Sequence, residues 1–205
     1  AGNSFSDFHV WKVSNFSLVV NATSAVQKKA LALFDNIKIF PADDVGILVW
    51  ARLLRVHQWL KNILIFLPLV AAHQFFDFES WVYLFLAFLS FSLSASSVYI
   101  YNDLLDLESD RIHPRKKMRP FASGTVPIWK GFLIAPFLIF LSFLISYQIN
   151  YAFSLVIFFY LFLTTIYSFA LKRIILIDCI ALAFLYTIRI IAGSVILGHV
   201  LSFWL

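Results

Sequence analysis

The sequence predicts an all-α membrane protein, a multi-spanning helical bundle with a short soluble αβ remnant at its N-terminus. Three observations carry this reading. Of 205 residues, 61% are hydrophobic, 19% aromatic and only 13% charged, which lies outside the range of soluble globular domains. Four stretches stay apolar for roughly 20 residues, the length that crosses the hydrocarbon of a bilayer. The basic residues fall in every second loop between such stretches, as they do in cytoplasmic loops. A disordered, collagen-like or disulfide-rich secreted chain is excluded, and 16 Lys+Arg against 11 Asp+Glu in so apolar a chain points to head groups and phosphates, not to nucleic acid.

Residues 1–44 hold short apolar stretches, Phe16 to Val20 and the amphipathic Ala25 to Phe34, closed by the polar Pro41 to Asp44. This suits a soluble αβ piece, and the shift near residue 45 opens a membrane domain over 45–205. The first span is expected over Ile63–Phe76; being short and holding Pro68, it must start near Trp59 and kink at the proline. Four spans follow as Trp81–Tyr101, Gly131–Ile149, Tyr151–Leu171 and Ile174–Gly198. Alternation then puts Arg52, Arg55 and Lys61, the run from Arg111 to Arg119, and Lys172 with Arg173 on one face. The loops at Asp77–Glu79 and Gln148–Asn150 hold no Lys or Arg, so the basic face is assigned to the cytoplasm of a bacterial inner or plasma membrane. The single cysteine, Cys179, offers neither a disulfide framework nor a cysteine metal site. The chain starts at Ala1 without a Met or a signal peptide and stops just past an apolar run, so it reads as a piece of a longer protein.

Chemistry concentrates where the second span ends. If its helix continues at about 100° per residue, Asn102, Asp103, Asp106 and Asp110 fall within roughly 100° of arc and Glu108 points away. Clustered carboxylates repel one another, and a hard cation such as Mg²⁺ relieves this, taking one or two carboxylates plus phosphate oxygens and water. The alternative is a solvated acidic helix end neutralised by nearby Arg and Lys. Arg111, Arg115, Lys116, Lys117 and Arg119 come next, in a loop fixed by Pro114 and Pro120 and ended by Ser123-Gly124. Acid followed by base is what a metal–diphosphate site needs, although a basic loop is also the ordinary topology signal. Lys61 and Asn62 either anchor the interface beside Arg55 and Trp59 or face the same cavity and bind phosphate. Asp178 and Arg189 share one side of the last span but lie about 16 Å apart along its axis, so each needs its own partner. Arg189 is a candidate for a substrate phosphate or for an interhelical bond.

The pattern Asn102-Asp103-x-x-Asp106-x-x-x-Asp110, followed by Arg119-Pro120 and Ser123-Gly124, resembles the first aspartate-rich motif and loop of the UbiA family of intramembrane prenyltransferases. Gln58-Trp59-Leu60-Lys61-Asn62, Asp110-Arg111-x-His113-Pro114 and the segment from Leu171-Lys172-Arg173 to Arg189-x-x-Ala192-Gly193 are more similar to its decaprenyl-phosphate phosphoribosyltransferase-like branch. The resemblance implies a helical bundle of about nine spans, each of roughly 20 residues, of which about five are present. It implies Mg²⁺ on Asn102, Asp103, Asp106 and Asp110, with Asp103, Asp106 and Arg111 in the catalytic role. Substrate phosphate would lie on Lys61, Asn62, Lys116, Lys117, Arg119 and Arg189. The implied partners are a polyprenyl phosphate or diphosphate lipid and either phosphoribosyl pyrophosphate or an aromatic acceptor. Val56 departs from the Pro common at its position in this branch, and a second aspartate-rich motif is expected beyond Leu205, so the chain as given is not expected to turn over alone. Gly2-Asn3-Ser4-Phe5-Ser6-Asp7 with the following Val13 to Val20 is similar to the last acidic motif of haloacid-dehalogenase-like phosphatases, with Asn3 where Asp is usual. Two other readings stay open: a transporter using Asp178 and Arg189 as pathway charges, and a non-catalytic membrane scaffold.

Overall fold

The computed structural model describes residues 1–40, 46–169 and 175–198, and the chain divides into two compact units, Ala1–Gly46 and Ile47–Leu205. The expected boundary at residue 44 and the expected span ends at Leu171 and Ile174, with Lys172 and Arg173, lie outside the described residues.

In the first unit a 3-10 turn at Phe5–Asp7 leads into α1 (Phe8–Lys12), β1 (Ser17–Val20), α2 (Ser24–Leu33) and β2 (Ile37–Phe40). The strands pair in parallel, Ser17 opposite Ile37 and Val20 opposite Phe40, with α2 as the crossover that parallel strands require. Trp11, Val19, Val26 and Ala30 form its small core. Gly2 bridges to Val19 in the same parallel sense, so the turn that follows sits at the carboxyl end of a strand-like segment.

The second unit is helical: α3 (Ile47–Leu53), a 3-10 segment (Val56–Phe66), α4 (Leu67–Ala71), α5 (Phe78–Leu105), α6 (Leu107–Ile112), α7 (Ile128–Ile149), α8 (Tyr151–Phe169) and α9 (Ile175–Leu197). Four of these, α5, α7, α8 and α9, are long and apolar enough to cross a membrane, and α3 with the segment Val56–Ala71 makes a fifth if the bent pair is one span. The sharp bend of that pair is not at Pro68. It falls between Leu53 and Val56, where the two pieces meet at 58° and Arg55 adopts left-handed backbone angles (φ 49°, ψ 47°). Pro68 sits in the first turn of α4, where its missing N–H costs nothing. The helix also stops at Ala71 and not at Phe76, with His73 at φ 55°. In the 3-10 segment side chains three apart eclipse, so Asn62 and Ile65 line up on one buried face.

Caps explain the other ends. Asp77 accepts hydrogen bonds from the backbone N–H of Glu79 and Ser80 and starts α5. Asn150 both ends α7 and accepts from the Phe153 N–H at 2.6 Å, so one residue turns the chain into α8. At about 1.5 Å per residue α5 extends about 42 Å, more than the roughly 30 Å of hydrocarbon.

Serines decide the packing of α5. Ser90 and Ser94 hydrogen-bond Ser142 of α7 at 2.9 and 2.7 Å, while on another side Ser92 accepts from Asn62 and Ser96 accepts from the Trp59 indole N–H. Small hydroxylated residues let helices approach closely and satisfy polar groups where no water is available. Gly193 does the same for α9: a Cβ there would overlap the backbone carbonyl of Ile65. Alanine gains about 1 kcal/mol over glycine within a helix, but overpacking costs about 1–3 kcal/mol and a backbone carbonyl cannot rotate away. Gly193→Ala is therefore expected to lower the melting temperature of the detergent-solubilised protein, and an unchanged or higher value would show that α9 does not seat on Ile65.

Candidate active site

The last turn of α5 places consecutive side chains about 100° apart, and Asn102 and Asp103 consequently enter different cavities. Asp103 is 3% exposed. Its Oδ1 accepts from Arg55 Nη2 at 2.5 Å and from Arg119 Nη1 at 3.0 Å. Arg119 Nη1 also donates to Oδ2 of Asp110 at 2.6 Å, and Lys116 Nζ lies 3.9 Å from the other Asp110 oxygen. Asp110 is 1% exposed, and its Oδ1 accepts no hydrogen bond among the described residues. Arg119 thus ties α5 and α6 to the loop after them, and Arg55 stacks over the Tyr99 ring at 4.8 Å. Beside this cluster opens a cavity of about 330 Å³ lined by Arg52, Arg55, His57, Arg115 and Arg119, with Asp103 as its one carboxylate among the described residues. Charge-assisted, forked donors in this number are suited to a multivalent anion.

The second cavity, about 130 Å³, lies between α5, α8 and α9 and is lined by Lys61, Tyr99, Asn102, Tyr160, Tyr186 and Arg189, among others. Arg189 is 5% exposed. Its Nε donates to Asn62 Oδ1 at 2.8 Å, Nη1 donates to the Leu185 carbonyl, and the guanidinium lies over the rings of Phe91, Tyr160 and Tyr186 at 5.4, 5.5 and 5.5 Å. Asn62 passes the bond on, its Nδ2 donating to Ser92 Oγ at 2.9 Å. No carboxylate pairs with Arg189 among the described residues. Asp178 has its own partner, the Tyr167 hydroxyl at 2.7 Å.

The single acidic stripe expected from a continuous helix does not form. The helix ends at Leu105, Asp106 takes non-helical angles (φ −89°, ψ 10°) as cap residue, and α6 restarts at Leu107. Asp103 and Asp110 are brought together by Arg119, Asp106 is half-buried without a partner among the described residues, and Asn102 turns away to donate to Ser168 Oγ at 3.1 Å. Arg111 and Lys117 are exposed and contact no member of the cluster. Asn62 has both ends of its amide engaged by protein, donating to Ser92 and accepting from Arg189, whose guanidinium it orients. Arg115 belongs to the basic loop read as contacting phosphate, whereas Arg52 and Arg55 read only as topology and interface residues. The signal for Arg55 is a left-handed backbone that no sequence pattern announces.

No three Asp, Glu, His or Cys side chains converge to hold an ion by themselves among the described residues. What the structure offers is a pair: one oxygen each of Asp103 and Asp110 is committed to arginine, leaving Asp103 Oδ2 and the buried Asp110 Oδ1 without hydrogen bonds. This fits Mg²⁺, which takes one or two carboxylates and completes its shell with phosphate and water. In the first unit the Asp7 carboxylate accepts from the Ser4 and Asn3 backbone N–H and from the Ser4 hydroxyl, bonds that hold it below the usual carboxylate range.

Known proteins resemble this chain over most of its length. The model of the UbiA prenyltransferase family matches residues 63–205. The uncharacterized protein y4nM of Sinorhizobium fredii is 34% identical over 206 residues, covering 100% of this chain and 40% of that protein. Decaprenyl-phosphate phosphoribosyltransferase of Mycobacterium tuberculosis is 36% identical over 170 residues, covering 80% of this chain and 55% of that one. The chain spans about half the length of the curated relatives it matches. Among solved structures, a UbiA homolog from Archaeoglobus fulgidus bound to GPP and Mg²⁺ matches with a TM-score of 0.60 at 25% identity, covering 76% of this chain and 56% of that one.

Arg119→Ala removes the one hydrogen bond to the Asp110 carboxylate among the described residues and leaves that buried group facing Lys116. Breaking a buried pair costs about 3–5 kcal/mol, toward the lower end here because Arg119 is partly exposed. A lower melting temperature is expected, with partial recovery on adding Asp110→Asn; absence of recovery would separate the stability role of Arg119 from Asp110.

Proposed function

The chain belongs to the UbiA prenyltransferase family, and from that premise we propose that its parent protein is an integral-membrane, Mg²⁺-dependent transferase that moves a phosphoribosyl group from phosphoribosyl pyrophosphate to a polyprenyl phosphate. The observation that carries this is the arginine-lined cavity beside the Asp103–Arg119–Asp110 cluster, at the end of a membrane-length helix. The similarity to decaprenyl-phosphate phosphoribosyltransferases supports the choice of branch over prenyl transfer to an aromatic acceptor.

The chain's own residues define the chemistry. Asp103 and Asp110 would hold the metal, which supplies charge neutralisation at the diphosphate when bound. Arg55 and Arg119, oriented by the two carboxylates, present further N–H groups to the cavity. Arg52 and Arg115 add donors to the diphosphate oxygens, and together these cations stabilise the negative charge that develops as the leaving group departs. Lys116 compensates Asp110. Asp103 is itself buried, so its contacts to Arg55 and Arg119 act more strongly than they would in bulk water.

We assign the face bearing Arg52, Arg55 and the basic loop to the cytoplasm of a bacterial plasma membrane, on the charge asymmetry of the loops. The first unit we read as the end of a haloacid-dehalogenase-like domain. Its parallel β-α-β arrangement, with the Gly2–Asp7 turn at the carboxyl end of a strand-like segment, supports that reading. No phosphatase activity is proposed for it.

In membranes carrying the full-length protein, label from phosphoribosyl pyrophosphate should enter lipid when polyprenyl phosphate and Mg²⁺ are supplied, and chelation should stop it. Asp103→Ala should reduce the rate by about a hundredfold or more without loss of membrane insertion. Label appearing only in a prenylated aromatic acid, from a prenyl diphosphate donor, would assign the other reaction; no product from either pair would sink the transferase reading.

A further inference from the structure

We infer that His113, which does not line the arginine cavity, is a positioning residue: its ring nitrogen sets the turn from which Arg115 reaches into that cavity and Lys116 reaches Asp110. This rests on the reading above and adds to it a residue that decides how strongly a diphosphate is held.

The sequence creates the need at this point. α6 ends at Ile112, and His113 is extended (φ −71°, ψ 133°), the conformation that a following proline imposes. Pro114 has no N–H, so the first donors after His113 belong to Arg115 and Lys116, at the head of the 3-10 turn Lys116–Met118. The leading donors of such a turn have no acceptor within it. Here both find the same atom: His113 Nδ1 accepts from the Arg115 N–H at 3.2 Å and from the Lys116 N–H at 3.3 Å. The His113 carbonyl accepts from the Lys117 N–H at 3.2 Å, and the His113 N–H donates to the Ser109 carbonyl at 3.1 Å. One residue thus fastens three successive residues of the basic loop to the end of α6.

Two consequences define the role. Because both partners are N–H donors, Nδ1 is the unprotonated ring nitrogen, and the neutral ring carries its proton on Nε2. The cap is therefore uncharged, whereas Asp, a commoner side-chain cap, would add negative charge two residues from an arginine that faces an anion. Secondly, the Arg115 side chain makes no hydrogen bond or ion pair among the described residues, so its backbone alone determines where the guanidinium reaches. Arg55 and Arg119 differ, since their far ends are held by Asp103 and Asp110. Those two keep their aim without His113, and Arg115 does not. Lys116 depends on the same turn for its approach to Asp110, with Nζ 3.9 Å from Oδ1.

The test separates the acceptor atom from the rest of the ring. The side-chain oxygen of Asn takes the place of His Nδ1, bonded directly to Cγ, while that of Gln lies one atom further out. Inorganic diphosphate with Mg²⁺ is titrated against the full-length protein in detergent, at a pH above the ordinary histidine range. His113→Gln is expected to weaken binding about fivefold, the effect of losing one capping acceptor, and His113→Asn to stay within about twofold of the unaltered protein. Combined with Arg115→Met, the further loss from His113→Gln is expected to fall below about twofold, because the side chain whose aim it sets is gone. His113 is exposed, so neither substitution disturbs the core. Unchanged binding in His113→Gln, a loss in His113→Asn as large as in His113→Gln, or the same fivefold loss with and without Arg115 overturns the proposal. The titration reads binding and not turnover. The expected pattern in a protein that makes no phosphoribosyl lipid would support the role of His113 and refute the reaction assigned above.

Discussion

A guanidinium inside a membrane-length bundle has to be satisfied by protein, and the burial of Arg189 organises the interior of this chain. Its bond to Asn62 requires α9 to lie against the 3-10 segment, which is possible only because Gly193, one turn further along α9, has no Cβ to strike the Ile65 carbonyl. Asn62 in turn needs an acceptor for its amide N–H and finds Ser92 on α5. One buried charge therefore links three elements that are distant in sequence through short polar contacts. The aromatic rings around it add attraction without adding a counter-charge, so the position stays cationic.

The second constraint is the length of α5. Its last turn carries a buried carboxylate, Asp103, which is tolerable there because cations from two loops reach it. Arg55 comes from the break before the 3-10 segment and Arg119 from the loop after α6, and both end on the same Asp103 oxygen. The left-handed backbone of Arg55 is the local cost of this reach. A continuous helix through α3 and the following segment would carry that side chain elsewhere.

The four long spans were legible because nothing but a membrane or a very large core accommodates twenty successive apolar residues, and their observed ends at Leu105 and Ile149 lie within a few residues of the hydropathy limits. The acidic motif and the basic loop were legible as a site for the same reason: charges that dense need one another. Their internal geometry was not. Spacing placed Asn102, Asp103, Asp106 and Asp110 on one stripe by assuming a helix that in fact ends at Leu105, and Asn102, a step of about 100° from Asp103 on α5 itself, meets Ser168 instead. The role of Asn62 was hidden because an amide reads alike whether it meets a ligand or, as here, Arg189 and Ser92. The alternation of serines from Ser90 to Ser96 acquires a role only through its neighbours: Ser90 and Ser94 serve α7 while Ser92 and Ser96 serve the 3-10 segment.

The distribution of charge at the end of α5 also says which cations are structural. Arg55, Arg119 and Lys116 have carboxylate partners in Asp103 and Asp110, so withdrawing them toward a ligand would expose buried carboxylates, at several kcal/mol each. Arg52 and Arg115 line the same cavity without a carboxylate partner among the described residues, and they can engage an anion without breaking anything. An anion entering this cavity would therefore meet donors of two kinds: a fixed pair whose geometry is already set, and an uncommitted pair whose side-chain entropy is spent only on binding. The fixed pair carries preorganisation and the free pair carries the added affinity. That division follows from the cavity holding more arginines than its carboxylates can occupy.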